Sequence, residues 1–576
     1  MEKIDLSKLT SDEAYALFDD IPSDGESVIS EISEEEEEIE SIEKNDFLRT
    51  NTQETILSDD ESDFEMDVDS DDSEDNIPLI QFVNWRKQNI DPVMTNFEES
   101  TGPSSEVPAD ITKPIDFFLL LFDEAIGLIT EQTNLYATQK KRNFTPTSKQ
   151  EMKIFIAINL LMGIKKSPSF RDYWSSRPEM RDDFIASKIT VNRFGSLLTS
   201  LHCNNNDMMP KKEEPGFDKL YKIRPYIELL KTNFQKYYLP SKEISIDESM
   251  VKFKGRISFK QYMPMKPIKR GFKIWACADK EGYLNNFEIY TGKHADHPET
   301  GLGERVVLDM TKGLEGKGHH AYFDNFFTTT NLLLTLQERQ IYSCGTVRAN
   351  RKNLPSGLKA DKAMSRGDFD WSVHKGKVSC LKWKDKRTIQ LLSTIHYPTD
   401  QIKVNKREKD GRVTEVNCPK AVLDYRKFMG GVDKADMMKS YYGINRKSRK
   451  WYHRLFWHFL DTSVVNSYII FKRRTKSNMS LKTFRCEVIL SLMGASVAKG
   501  SSGRPSSEKM KSRFKPYVSV DLRRDQAKHM PVHGTSRRCA NCSSAQKPHR
   551  TRWSCTQCNV GLCLSAEKNC FLVYHT

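Results

Sequence analysis

The stretch Glu243-Ile-Ser-Ile-Asp-Glu-Ser-Met-Val-Lys-Phe253 decides the fold, because the chain changes there from helical patterns to strand patterns. Working outward, Phe272 to Ala278 and Tyr283 to Tyr290 read as a hairpin across Asp279-Lys-Glu-Gly282. His320 to Phe323 and Ile341 to Val347 read as short apolar strands on either side of a helix over Thr329 to Arg339, and Thr388 to Ile395 as a buried strand. Residues 350–385, rich in Gly, Lys, Asp and Trp without long periodic runs, read as an insertion in this sheet. Helices are expected upstream over Ile111 to Ile129, Ser148 to Ile164 and Lys219 to Leu239, the last ending at Pro240. Ser148-Lys-Gln-Glu151 matches a capping box, Gly163 reads as a stop, and the near-continuous apolar run between them marks a central helix. Beyond Gly430-Gly431 the pattern is helical again, with a long amphipathic stretch over Trp451 to Lys472. The class is α/β plus α.

At 576 residues the chain is long enough for three or four units, and 38% apolar with 29% charged residues allow a large core beside a sizeable solvated fraction. The longest apolar runs, Phe117 to Phe122 and Ile154 to Met162, fall short of the roughly 20 residues that span a bilayer, and no secretory signal opens the chain. A soluble protein of a reducing compartment, without a membrane partner, is expected. Its net charge of +11 hides an opposition. Residues 1–75 hold 29 Asp or Glu against 4 Lys or Arg, a charge of −25, which leaves +36 on the rest. So acidic a segment with few large apolar residues is expected to be disordered, and Ser58 and Ser70, beside acidic runs, suit an acidophilic kinase. The basic remainder calls for a polyanionic partner.

Half of the twelve cysteines lie in one short stretch, Cys539-x2-Cys542-x12-Cys555-x2-Cys558-x4-Cys563-x6-Cys570-x4-His575. Paired Cys-x2-Cys knuckles place two sulfurs on one ion, so these seven residues are expected to bind zinc. Two complete sites need eight ligands, for which His549 is the candidate eighth; a single ion with spare cysteines is the alternative.

Four acids sit at telling addresses. Asp247 ends the apolar run Ile244-Ser-Ile246, Asp324 follows Ala321-Tyr-Phe323, and Asp433 and Asp436 share one face of a helix start. Singly, each reads more simply as a strand end, a turn or a cap. Jointly, they suit phosphodiester chemistry, in which carboxylates from separate elements hold Mg2+ ions. Around them, Lys252, Lys254, Arg256, Lys260, Lys266, Lys269, Arg270 and Lys273 alternate with Phe253, Phe259 and Tyr262, while Arg446, Lys447, Arg449, Lys450 and Arg454 flank Trp451 and Tyr452. Cations beside aromatics can follow a phosphate backbone and stack on bases. Lys254, Arg256, Lys269, Arg270, Arg446, Lys447, Arg449, Lys450 and Trp451 are therefore the expected DNA-binding residues.

Several stretches together resemble the piggyBac transposase family, including the piggyBac transposable element-derived proteins. They are Ser245-Ile-Asp-Glu-Ser-Met250, Tyr322-Phe-Asp-Asn-Phe-Phe-Thr328, Gly430-Gly-Val-Asp-Lys-Ala-Asp-Met437 and Arg446-Lys-Ser-Arg-Lys-Trp-Tyr452, with Tyr173-Trp-Ser175 and Leu201-His-Cys-Asn204 upstream. The resemblance implies an RNase H-like catalytic domain over 243–442, with the insertion at about 350–385, and a helical dimerisation and DNA-binding domain split into 109–242 and 443–500. Composition assigns a disordered acidic region to 1–108 and a basic linker to 501–538, and the resemblance adds a cross-brace zinc module over 539–576. It further implies a Mg2+-dependent transposase with Asp247, Asp324 and Asp433 on the metal, Asp436 as an additional required acid, and Trp451 handling the strand. Such an enzyme excises and integrates double-stranded DNA at TTAA in the nucleus, as a homodimer. The alternative is a domesticated DNA- or chromatin-binding protein without transposition activity.

Overall fold

The computed structural model describes residues 85–140, 143–264, 266–292, 301–407, 412–446, 448–494, 518, 529–544, 546–565 and 567–576. The acidic segment 1–75, its serines and most of the linker 501–538 lie outside the described residues. The strands are β1 (Trp85–Arg86), β2 (Gly102–Pro103), β3 (Tyr238–Leu239), β4 (Glu243–Lys252), β5 (Gln261–Tyr262), β6 (Arg270–Asp279), β7 (Leu284–Ile289), β8 (His320–Phe323), β9 (Tyr342–Thr346), β10 (Phe369–His374), β11 (Val378–Lys384), β12 (Thr388–Ser393), β13 (Gln401–Arg407), β14 (Val413–Pro419), β15 (Pro531–Arg538) and β16 (Arg550–Cys555). Before the main sheet come helices α1 (Pro114–Gln139), α2 (Lys149–Ile164), α3 (Asp183–Ala186), α4 (Val191–Ser200) and α5 (Arg224–Tyr237). Within and after it come α6 (Leu302–Met310), α7 (Thr330–Glu338), α8 (Lys420–Phe428), α9 (Gly431–Tyr441), α10 (Trp451–Thr475), α11 (Leu481–Met493) and α12 (Cys570–His575).

Among the described residues, ten strands form one mixed sheet in the order β1-β10-β11-β12-β9-β8-β4-β6-β5, with β7 also on β6. Its centre is the antiparallel meander β4, β6, β7, onto whose first strand β8 and then β9 are laid parallel. Alternation assigns the two faces. Ile244, Ile246, Trp275, Cys277, Ala321 and Phe323 pack with α6 and α7 on one side. From β6, Phe272, Ile274, Ala276 and Ala278 turn to the other side and join the helical core.

That core unites helices from before and after the sheet. Apart from His458, α10 is buried from Leu455 to Phe471, the signature of a helix surrounded by others, and α2 is similarly enclosed, as its sequence implied. Arg485 of α11 ties the elements together. It donates to Asp461 of α10 at 2.9 Å and to the Leu160 carbonyl of α2, while the other Asp461 oxygen accepts the Ile444 N–H. Burial raises the Asp461 carboxyl, and Arg485 opposes that rise.

Several expectations are corrected. Residues 85–108, assigned to the disordered region, contribute β1, which pairs with β10, and β2, which pairs with β3; Trp85 and Val107 supply the apolar contacts that acidic composition upstream obscured. The stretch 350–385 is less an excursion than a continuation, because β10 and β11 extend the sheet through β12. Their turn uses Lys375 and Gly376, both at positive φ, in place of a more recognisable Asn-Gly. α1 runs on to Gln139, since Thr133 and Asn134 are buried there and the Asn134 side chain holds Thr147 through both its N–H and its carbonyl. Gly163 is not a stop but a contact point: a Cβ there would lie 2.2 Å from the Tyr442 carbonyl. Only half of the capping box forms, because Glu151 turns to a bidentate pair with Arg193.

Replacing Arg485 by Met leaves Asp461 buried without its cation and is expected to destabilise the helical core by about 3–5 kcal/mol. The double variant Arg485→Met/Asp461→Asn is expected to recover part of that loss in chemical denaturation.

Candidate active site

Register alone brings two acids together. β4 and β8 are parallel and pair through Ile246 and Phe323, so Asp247 and Asp324 are the next residues on neighbouring strands, just where pairing ends. The side-chain oxygens of Asp247, Glu248 and Asp324 all lie within 4.8 Å of one another. Asp324 also opens a turn, accepting the Phe326 N–H at 2.9 Å on Oδ1, so the turn reading holds for it beside its place in the acidic group. Phe326 stacks on Trp275 and thereby fixes that turn to β6.

Glu248 was not among the acids singled out by sequence. Asp433 lies outside this tight group. With Asp436 it lines an adjoining cavity of about 630 Å³, whose wall also includes Glu248, Lys266 and Met437. α9 reaches this position because Gly431 touches the sheet; a Cβ on it would come within 2.5 Å of Ser245 Oγ and 2.6 Å of the Asp279 carbonyl. Asp436 accepts from Ser249 Oγ at 2.9 Å and pairs with Lys439 at 2.7 Å.

Two lysines converge on the acids. Lys266 pairs with Glu248 at 3.0 Å, and Lys273 lies 3.8 Å over the Trp275 ring. Burial raises the Asp247 carboxyl, and the neighbouring Glu248 raises it further. Burial also raises Asp324, against the pull of the Phe326 N–H. At Glu248 the same burial is outweighed by Lys273 and Lys266, so that carboxyl is lowered. Burial lowers Lys273, whereas at Lys266 it is overcome by Asp247, Glu248 and Asp433 and the ammonium is held high. Oxygen donors of this kind fit a hard divalent cation.

The C-terminal cysteines form two separate groups, His529/Cys555/Cys558/His575 and Cys539/Cys542/Cys563/Cys570. In chain order the first group takes ligands one, four, five and eight, so the two interleave. Each Cys-x2-Cys turn folds its second N–H onto the first sulfur, Cys542 on Cys539 and Cys558 on Cys555. Both sets have the donor chemistry of zinc. The eighth residue is His529, not His549: the His529 Nδ1 lies 3.1 Å from Cys555 Sγ, whereas His549 is exposed beside an already complete group. His529 escaped notice because it falls in the stretch read as linker, whose last residues instead form β15 against β16.

With this geometry in view, comparison with known proteins is decisive. The family model described as Transposase IS4 matches residues 113–468. The human PiggyBac transposable element-derived protein 3 is 29% identical over 558 residues, covering 90% of this chain and 89% of that protein. The chain belongs to the piggyBac-type transposase IS4 family. The human PiggyBac transposable element-derived protein 2 is 28% identical over 473 residues, covering 80% of this chain and 77% of its own length. The fold is that of a solved piggyBac transposase in a synaptic complex with hairpin DNA, at a TM-score of 0.62 and 24% identity, covering 81% of this chain and 98% of the other.

Within this piggyBac-type chain the expected DNA-binding residues divide. Lys254, Arg256, Lys269, Arg270 and Arg449 are exposed, and Arg270 caps the Tyr262 ring at 5.1 Å. Arg446 and Lys450 turn inward. Arg446 donates to Asn159 and lies against the Phe170 and Phe194 rings, and Lys450 donates to the Thr199 carbonyl over the Tyr136 ring. Their aromatic neighbours come from distant helices, contacts that sequence proximity to Trp451 does not reveal. Trp451 itself is half-buried, edge-on to Phe259 and near Phe272. Lys447 lies outside the described residues. No described helix is long and apolar enough to cross a membrane.

Elemental analysis of the purified chain is expected to find one fewer bound metal ion in His529→Ala and an unchanged content in His549→Ala.

Proposed function

We propose that the chain is a DNA transposase that excises and integrates double-stranded DNA at TTAA targets by metal-dependent phosphoryl transfer. The observation that carries this reading is the juxtaposition of Asp247 and Asp324 by strand register, with Asp433 on the wall of the adjoining cavity. The meander followed by two parallel strands supports an RNase H-like core. Asp247, Asp324 and Asp433 are the residues that would hold Mg2+, with Glu248 bordering the same position and Asp436 supporting Asp433 from the same helix. When bound, the cation supplies charge stabilisation at the reacting phosphate and acidifies the attacking hydroxyl or water. The chain's own part is positioning. Lys254, Arg256, Lys269, Arg270 and Arg449 would hold the DNA backbone, while Trp275 and Phe326 keep the Asp324 turn rigid. The two interleaved Cys/His groups would each take Zn2+, tying α12 to the β15–β16 hairpin in a module for terminal DNA. A homodimer acting in the nucleus would synapse two ends, in keeping with the synaptic complex named for the structural relative.

The test is excision and rejoining of a donor carrying the native flanking repeats, in cells. Wild type is expected to excise, and Asp324→Ala to fall by at least about a hundredfold, the scale of losing a charge-stabilising group. Specific DNA binding without excision by either protein would replace this reading with that of a domesticated DNA-binding protein.

A further inference from the structure

The short β5–β6 hairpin presents its cations in two directions. Its pairing joins Gln261 to Gly271 and Tyr262 to Arg270, and its turn is held by the Met263 N–H on the Lys269 carbonyl at 2.8 Å and the Lys266 N–H on the Met263 carbonyl at 3.2 Å. Lys269 and Arg270 point to solvent from this frame, whereas Lys266, set between Pro264 and Pro267, reaches inward to Glu248. The proline rings restrict the turn, so the inward direction of Lys266 is built into the hairpin.

The two lysines near the acids differ in their freedom to move. Lys273 is buried, 8% exposed, with its ammonium over the Trp275 ring at 3.8 Å and the Phe326 ring at 5.0 Å. It is a fixed charge. The Lys266 side chain keeps 31% of its surface exposed, while its partner Glu248 keeps 9%, and both border the cavity that also exposes Asp433. A lysine at the mouth of a carboxylate group can withdraw along its flexible stem into water or onto another anion.

We propose that Lys266 is a positioning residue that holds the place of a divalent cation among Asp247, Glu248 and Asp324, and passes to a DNA phosphate when the ion arrives. The proposal rests on reading this acidic group as the metal centre. Three carboxylates within 4.8 Å repel one another unless cations lie near, and a single ammonium offsets less of that repulsion than a divalent ion. Entry of the ion therefore releases Lys266 at the edge of the cavity, on the same hairpin whose outer face carries Lys269 and Arg270. Metal and DNA then assist each other's binding, because each takes one partner of the Lys266–Glu248 pair.

Mn2+ titration of the full chain, followed by electron paramagnetic resonance of the free ion, tests this. The relevant binding is the component that Asp324→Asn removes. Without DNA, Lys266→Met is expected to bind Mn2+ about three- to fivefold more tightly than wild type, the scale of a partly exposed ion pair, and Lys266→Arg to match wild type. The same Lys266→Met protein is expected to cleave DNA strands more slowly, a combination that a merely structural role would not produce. Unchanged or weaker Mn2+ binding in a folded Lys266→Met protein, with Asp324→Asn still abolishing the component, would overturn the proposal alone. Equal Mn2+ binding by Asp324→Asn and wild type would instead overturn the metal-centre reading beneath it.

Discussion

Mutual repulsion among the carboxylates of Asp247, Glu248 and Asp324 is the constraint around which the sheet half of the molecule is arranged. Partly buried like charges this close raise one another's protonation and oppose folding. The arrangement persists because the backbone leaves them little choice. Parallel pairing of β4 with β8 delivers two of the acids side by side, and the Asp324 turn is pinned through Phe326 on Trp275. Lys273 and Lys266 supply the compensating charge, one fixed over an aromatic ring and one at the cavity edge.

The helical core serves the same site from behind. α9 can bring Asp433 to the cavity only because Gly431 lets its first turn touch β4 and the end of β6. The loop that follows α9 is anchored by the Ile444 N–H on Asp461, which in turn depends on Arg485 from α11. An element beyond residue 480 therefore stabilises the placement of an acid on a helix some fifty residues earlier. The helices upstream of the sheet take part as well, since Leu160 of α2 accepts from the same arginine.

Where one face of an element is uniformly apolar, its reading from sequence holds. His320–Phe323 matches to the residue, and β4, β6, β7, α7 and α10 differ from their expected limits by only a few residues. Asp247 and Asp324 were legible because each directly follows such a run. The parts that escaped share a physical cause: their signal lies in partners distant in the chain. Glu248 looks like the outward-facing neighbour of Asp247 on a strand, and only the end of β8 pairing opens room for both. Arg446 and Lys450 rest on rings from other helices, partners that the sequence around Trp451 does not reveal. His529 is separated from its nearest cysteine by a strand that reads as linker, and β10–β11 turn on a Lys-Gly pair.

A divalent-metal centre acting on DNA is placed here where the pairing of β4 with β8 ends. Anomalous scattering from Mn2+ in crystals of the full chain with element-end DNA tests it most directly. A peak bounded by Asp247 and Asp324 and facing the cavity that exposes Asp433 is expected. Manganese absent from that position, in crystals where the DNA occupies the cavity, would contradict it.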